Sequence, residues 1–204
     1  SVISFSNDRR VASGNIFTMG FLPDEQVDRV VRFAYKKGHK RFALLAPNNS
    51  YGKTILDALE NIAAALRAEI TSSSFYDPNS EDFESVVRDL ANYDQRRENL
   101  LNQRRELEKR NDEVAQKTLK RLKNFQTIGD LPFDALMVAD GGKRLQAIAA
   151  LLPYYDVDPK KTRILGTGQW DAVDSTFEPA LIGGWFAAPP LRERQSFVKN
   201  YEEM

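Results

Sequence analysis

The apolar residues of this chain alternate between the spacing of a β-strand and the spacing of an α-helix. The strand-like segments are 2–5, 42–46, 69–76, 135–139, 163–166 and 181–187. The helix-like segments between them are 24–37, 55–66, 83–90 and 145–152. Regular alternation of this kind is typical of βαβ units, in which crossover helices cover both faces of a parallel sheet. We therefore predict an α/β fold with a largely parallel sheet flanked by helices.

Charge and composition exclude several classes of function. The 204 residues include 29 Lys+Arg and 29 Asp+Glu, so the net charge is zero, and a nucleic-acid partner is not expected. Because Cys is absent, disulfides, thiol catalysis and Cys-ligated metals are excluded. No apolar run approaches the roughly 20 residues needed to cross a membrane. The chain begins at Ser1 and ends within a helical pattern, so we interpret it as part of a larger protein.

Residues 94–124 interrupt the alternation with a dense run of charge, ten Lys/Arg against six Asp/Glu. A solvated helix and a disordered segment are both possible interpretations of such a composition. The segment lies between a core helix and a core strand, so its ends must return close together, which favours an inserted helical hairpin over residues 94–128. We expect the turn near Arg110-Asn111. The expected pairs across the hairpin are Leu107 with Val114, Leu100 with Leu122, and Tyr93 with Ile128.

No motif in the sequence assembles a catalytic centre. The single histidine, His39, follows a helix end without a neighbouring nucleophile. Gly166-Thr167-Gly168 begins like a dinucleotide-binding fingerprint, but Asp171 occupies the position of the third glycine. Asp171 and Asp174 are interpreted as helix-capping residues and not as metal ligands. The sequence therefore predicts a protein that is not an enzyme and holds neither a metal nor a cofactor.

Polar residues follow three of the predicted strands at the point where each strand ends. They are Asn48 to Gly52, Asp140 to Gly142, and Thr167 to Trp170. Open parallel sheets bind ligands at the carboxyl ends of their strands, and these side chains suit a small polar ligand. Turn formation and helix capping would select many of the same residue types. Turn chemistry does not call for the large aromatic rings of Tyr51 and Trp170, which we therefore interpret as ligand-facing.

The order of several short motifs resembles the second lobe of the type I periplasmic binding proteins, the leucine/isoleucine/valine-binding family. The motifs are helix 24–37, Gly38 to Leu45, Asn49 to Gly52, Phe75 to Phe83, Phe133 to Leu136, and Ile164 to Thr167. Within that family, the charged insertion and the segment Gly184 to Pro190 are most similar to the proteobacterial lipoproteins that activate penicillin-binding proteins.

The resemblance implies that residues 1–204 form a single α/β lobe of a larger two-lobed, non-catalytic periplasmic protein, which could be lipid-anchored when complete. The family's ligand contacts fall on Tyr51, Asp140, Gly141, Gln169 and Trp170. Amino-acid binders of the family place an acidic residue in the turn that here contains Gly168 and Gln169. A buried ammonium without a carboxylate partner is costly, so the departure argues against ordinary branched-chain amino acids.

Two functions follow from the resemblance. One is a solute receptor of the ABC-transport type that binds an amino acid or another small polar ligand. The alternative is a regulatory interaction module that activates a penicillin-binding protein or peptidoglycan synthase, with residues 94–128 contacting this envelope partner. The polar strand ends favour the first function, and the charged insertion favours the second.

Overall fold

The protein folds around a parallel five-stranded sheet with helices on both faces, as the alternating pattern predicts. The computed structural model describes residues 1–6, 11–110, 112–172, 178–190 and 199–201. The strands are β1 (Val2–Ser4), β2 (Ile16–Thr18), β3 (Arg41–Pro47), β4 (Glu69–Tyr76), β5 (Ala135–Val138), β6 (Arg163–Gly166) and β7 (Trp185–Phe186). The helices are α1 (Pro23–Lys36), α2 (Ser50–Leu66), α3 (Glu84–Leu90), α4 (Tyr93–Lys109), α5 (Glu113–Leu122) and α6 (Gly142–Leu151).

The order of the main sheet is β4-β3-β5-β6-β7, with every pair parallel. All four residues of β5 and six of the seven in β3 are buried, because these central strands are covered on both faces. One face packs against α1 and α2 through an apolar cluster that includes Val27, Leu44 and Leu59. The other face packs against α3 and α6 through a second cluster that includes Leu45 and Leu145.

Two predicted strands need correction. Segment 181–187 contains only the two-residue β7, because a 3₁₀ turn (Pro179–Leu181) and Gly183, with a φ of +78°, bend the chain before it. Segment 2–5 does contain β1, but β1 pairs with β2 in a separate parallel sheet and not with the main sheet. The sequence analysis did not identify β2, which is only three residues long.

The charged insertion contains α4 and α5, which pack against each other and run antiparallel. The guanidinium of Arg104 in α4 donates to the carbonyl oxygens of Leu122 (2.5 Å) and Phe125 (3.0 Å), at the end of α5. Leu100 and Leu122 are both buried, as expected for the middle of the hairpin. The expected contact of Val114 is wrong, because its side chain is 68% exposed and the neighbouring Ala115 is buried instead.

The base of this hairpin is part of the main core. Tyr93 packs edge-on against Tyr155, with ring centroids 5.1 Å apart, and the Ile128 N–H donates to the Arg96 carbonyl in the same turn of α4 (3.3 Å). Arg96 is buried, donates to the Gly129 carbonyl (3.3 Å) and lies 3.6 Å from the carboxylate of Asp156. These contacts fix the first turn of α4 to the rest of the fold, and the remainder of the hairpin extends away from it.

Candidate functional site

Three polar loops meet at the carboxyl edge of the sheet, as the sequence predicts for a parallel arrangement. Leu45 of β3 pairs with Val138 of β5, and Met137 of β5 pairs with Leu165 of β6, so these strands end side by side. The helices α2 and α6 begin directly after β3 and β5. The edge therefore presents two helix N-termini next to polar side chains, an arrangement suited to a polar ligand.

Asp140 is buried at the centre of this edge, with 3% of its surface exposed. Its Oδ2 accepts hydrogen bonds from the Tyr76 hydroxyl and from Arg144 Nε (2.8 Å). Its Oδ1 accepts from the Gly141 backbone N–H (2.7 Å) and from Arg144 Nη2 (3.2 Å). Two carboxylate oxygens offer about four acceptor positions. The donors within the chain therefore already fill the acceptor capacity of Asp140.

The two tyrosines at this edge are neutral phenols. The hydroxyl of Tyr51, in the first turn of α2, lies 2.8 Å from Thr167 Oγ1 and links the ends of β3 and β6. Burial raises the pKa of Tyr51 to about 12, although the hydrogen bond with Thr167 partly opposes this effect. Burial, and then the hydrogen bond to Asp140, raise the pKa of Tyr76 far above its ordinary value. Both hydroxyls therefore keep their protons at neutral pH, and that of Tyr76 is donated to Asp140.

Gly141 and Gln169 lie next to each other across the edge. A Cβ atom at Gly141 would lie 2.8 Å from the backbone oxygen of Gln169, so only glycine permits this close approach. The side chain of Gln169 is exposed. The preceding Gly168 donates its N–H to Gln26 Oε1 (2.6 Å), which attaches this turn to α1.

Trp170 is buried in this structure, whereas the sequence pattern led us to interpret it as ligand-facing. Its side chain is 5% exposed and packs in the α6-side core, and its indole N–H donates to the Val138 carbonyl (3.2 Å). A Cβ atom at Gly166 would overlap the ring of Trp170, and a Cβ atom at Gly184 would lie only 2.8 Å from it. These two glycines create the space for the indole, so Trp170 supports the turn from beneath.

An open groove runs from this edge along the start of α1 to residues 184–190. Tyr51, Thr167, Gly168, Gln169 and Asp171 line the end of the groove nearest the strand ends. Asp140, Gly141 and Trp170 are not among the lining residues. Of the five sequence-predicted contacts, the structure thus brings Tyr51 and Gln169 to one open surface.

The remaining sequence candidates do not form a chemical site. His39 lies at the opposite edge of the sheet, where its Nδ1 is 3.0 Å from the Asp134 carbonyl oxygen and its ring contacts Trp185. Asp171 is exposed in a 3₁₀ turn, and Asp174 lies outside the described residues. In the described ranges, no group of three or more His, Cys, Asp or Glu side chains is placed to hold a metal ion.

The sequence reasoning missed three residues that organise the edge. The first is Gln26, which accepts the hydrogen bond from the Gly168 N–H. The other two are Tyr76 and Arg144, which donate hydrogen bonds to Asp140. Arg144 follows Asp140 by four residues across the start of α6, a spacing that could have indicated the ion pair. The contacts of Gln26 and Tyr76 join positions 142 and 64 residues apart, so no local pattern indicates them.

Comparison with known proteins identifies relatives of this fold. A curated protein of Rickettsia prowazekii, described as uncharacterized, is 31% identical over 91 residues, which are 45% of this chain and 24% of that protein. The benzoate complex of an ABC-transporter solute-binding protein from R. palustris has a TM-score of 0.54 and 13% identity, over 81% of this chain and 35% of that chain. A substrate-binding protein of an ABC transporter from Sphaerobacter thermophilus has a TM-score of 0.52 and 12% identity, over the same shares.

These solved structures share the fold, and this chain spans about a third of their length. No described helix is long and apolar enough to cross a membrane. The family model described as periplasmic binding protein matches residues 2–204. The chain therefore belongs to the periplasmic binding protein family.

Proposed function

We propose that this chain is one lobe of a non-catalytic periplasmic receptor that binds a small polar solute, of the kind used in ABC transport. The observation that carries the proposal is the open groove at the strand ends, where the exposed Gln169 lies beside the Tyr51 hydroxyl that Thr167 holds in place. Small-ligand pockets combine such a concave surface with a few fixed polar groups. The benzoate bound by a protein of the same fold supports a small ligand.

The separate sheet formed by β1 and β2 supports a second lobe in the complete protein. It has two strands, and Val2, Ile3 and Phe17 are each 58% exposed. A two-stranded sheet is marginal by itself, and parallel strands are normally covered on both faces. Further strands and helices of the complete protein would cover these apolar side chains. We propose that the complete protein lies in the periplasm and that a lipid anchor attaches it to the membrane.

The ligand we propose does not depend on an ammonium group. The carboxylate of Asp140 is already occupied by donors from Tyr76, Arg144 and Gly141. The turn from Gly168 to Trp170 contains no acidic side chain. An amino acid would have to place its ammonium away from Asp140, because the acceptor positions of this buried carboxylate are already filled.

Calorimetry on the complete protein tests this function, with free amino acids, benzoate and cell-wall peptides as probes. We expect at least one probe to bind, and Gln169→Ala to weaken that binding about tenfold, or roughly 1.4 kcal/mol. Lys160→Ala, an exposed change in another loop, is the matched control. The isolated 204-residue chain should bind no tighter than about 1 mM, because one lobe supplies only part of the contacts. Micromolar binding by the isolated chain would contradict the two-lobed proposal.

A second candidate function is favoured by the hairpin of α4 and α5. Its exposed charged surface extends from the fold beyond the buried contacts of Arg96 and Leu100. A solute receptor has no evident use for such a projection, whereas a module that docks and activates a penicillin-binding protein or peptidoglycan synthase does. A pull-down with the purified envelope enzyme tests it. Binding that survives replacement of residues 103–120 by a short Gly/Ser linker would exclude the hairpin as the contact.

A further inference from the structure

Two neighbouring segments of this neutral chain carry opposite net charges. Residues 77–89, which we name the acidic strip, contain five Asp/Glu and one Arg. Residues 94–124 contain ten Lys/Arg and six Asp/Glu. The rest of the chain carries 18 of each sign. The two segments therefore have net charges of −4 and +4, and they balance each other.

Part of this positive charge lines a groove between α4 and α5, which we name the basic groove. Its lining residues are Arg104, Glu108, Glu113, Gln116, Lys117, Leu119, Lys120 and Lys123. Lys117 pairs with Glu113 (2.6 Å), and Arg104 is held by the carbonyls at the end of α5. Lys120 and Lys123 are exposed and have no ion pair with any described residue. They follow one another at a three-residue spacing, about 4.5 Å along a helix.

Some carboxylates of the acidic strip accept hydrogen bonds within the chain, and others have no cationic partner among the described residues. Its exposed acids are Asp77, Glu81, Asp82, Glu84 and Asp89. Asp82 accepts the backbone N–H of Glu84 (2.9 Å), and Glu84 accepts the Tyr155 hydroxyl (2.7 Å). Glu81 and Asp89 have no cationic partner within the described part of the chain. They remain available to a positive surface.

The chain does not satisfy these charges internally. The ion pair between Arg88 and Asp94 (2.6 Å) joins the two segments at the hairpin base. Arg88 is the one cation of the acidic strip, and Asp94 is one of the acids of the basic segment. This pair therefore leaves the acidic side chains of the strip and the basic side chains of the hairpin unneutralised. Arg104 lies eleven residues beyond Tyr93 on α4, about 16 Å along the helix. The groove is therefore displaced from the strip of its own chain.

We propose that the basic groove binds the acidic strip of a second copy of this chain, forming a two-fold symmetric dimer. A two-fold axis between the strip and the groove brings each groove onto the strip of the other copy, so that both contacts form together. Equal and opposite net charges in the two segments favour this occupant.

Sedimentation velocity on the complete protein measures this association. Exposed charge pairs are screened over about 8 Å at physiological ionic strength, so the dimer should weaken at least about tenfold between low and high salt. Lys120→Glu with Lys123→Glu should give a monomer, and so should Glu81→Lys with Asp89→Lys. The control Lys36→Glu with Lys37→Glu makes the same charge change at the end of α1, on the other face of the sheet, and should remain dimeric.

Charge exchange makes the test specific. Mixing the two monomeric variants should restore a dimer, because each acidic surface again meets a basic one, and the fourfold variant should dimerise by itself. A monomeric unmodified protein, or a dimer that ignores these changes, would overturn the proposal. Binding of the unmodified monomer to anionic phospholipid vesicles through Lys120 and Lys123 would overturn it in favour of a membrane. Solute binding does not enter these measurements, so the proposed receptor function stands or fails separately.

Discussion

Truncation of Trp170 should destabilise the fold strongly, because the structure places this side chain in the core and not in the groove. The indole packs with the α6-side cluster, and its ring centroid lies 6.1 Å from that of Phe186. Its N–H donates to the Val138 carbonyl. Replacement by alanine removes the ring, leaves a cavity above Gly166 and leaves that carbonyl without this donor.

The expected size of the effect follows from these contacts. Trp→Ala in a core costs about 3–5 kcal/mol in the free energy of unfolding. Trp170→Phe keeps most of the apolar contact and loses the hydrogen bond, which contributes about 0.5–1.5 kcal/mol, so its total cost should be about half that of alanine. Trp185→Ala is the matched control. This half-buried ring contacts Phe33 and lies 4.5 Å from the Arg163 guanidinium, and its loss should cost about 1–2 kcal/mol.

Urea denaturation followed by far-ultraviolet circular dichroism measures all three variants without relying on tryptophan fluorescence. A loss below about 1 kcal/mol for Trp170→Ala would refute the burial argument. Unchanged stability combined with weaker ligand binding would show that the ring faces the ligand after all. The structure is supported if Trp170→Ala loses the most free energy of unfolding, and if Trp170→Phe loses less than that and at least as much as Trp185→Ala.

Other changes test the remaining contacts. Because the pKa of Tyr51 is raised from 10 to about 12, the native state keeps a proton that the unfolded chain loses. The free energy of unfolding should therefore fall as the pH rises from 10 to 12, and Tyr51→Phe should reduce that fall in urea titrations. The Asp134 carboxylate accepts the N–H groups of Lys40 (3.0 Å) and Arg41 (3.1 Å), so Asp134→Ala should cost about 1–3 kcal/mol, whereas Asp134→Asn retains an acceptor and should cost less. Replacing 103–120 by a short linker should change stability by about 1 kcal/mol or less, because loop-closure cost varies slowly with length. Arg96→Ala should cost about 2 kcal/mol in the free energy of unfolding. If Arg96→Ala and the replacement of 103–120 have the same melting temperature, the assignment of the hairpin base is contradicted.

The fold was predictable where the sequence signal is local. The runs that form β3 and β5 are apolar at nearly every position because both faces of these strands are covered. The two-residue β7 and the three-residue β2 are too short to produce a periodic pattern. The hairpin followed from a closure requirement, and Leu100 and Leu122 are buried as expected, but near the turn a shift of one residue buries Ala115 in place of Val114.

The site was less predictable because its organisation depends on contacts between distant segments. The carboxyl-end rule identified the three loops that meet at the edge. It could not show that Asp140 is occupied, because one of its donors, Tyr76, ends a different strand. Nor could it show that Gly166 and Gly184 make room for the ring of Trp170. An aromatic residue in a polar turn has two explanations, and the space beneath the turn decides between them.

The helix α6 connects the candidate site with the base of the hairpin. It begins directly after Asp140, and the 3₁₀ turn that follows it carries Tyr155, which packs against Tyr93. The core-facing residues of α6, including Leu145 and Ile148, are fully buried, so the helix cannot shift without repacking a close-packed core. The first turn of α4 is held in the same core, so the hairpin moves with the sheet as one body. A partner or second copy that binds the hairpin as proposed would therefore have a fixed orientation to the groove at the strand ends, whatever occupies that groove.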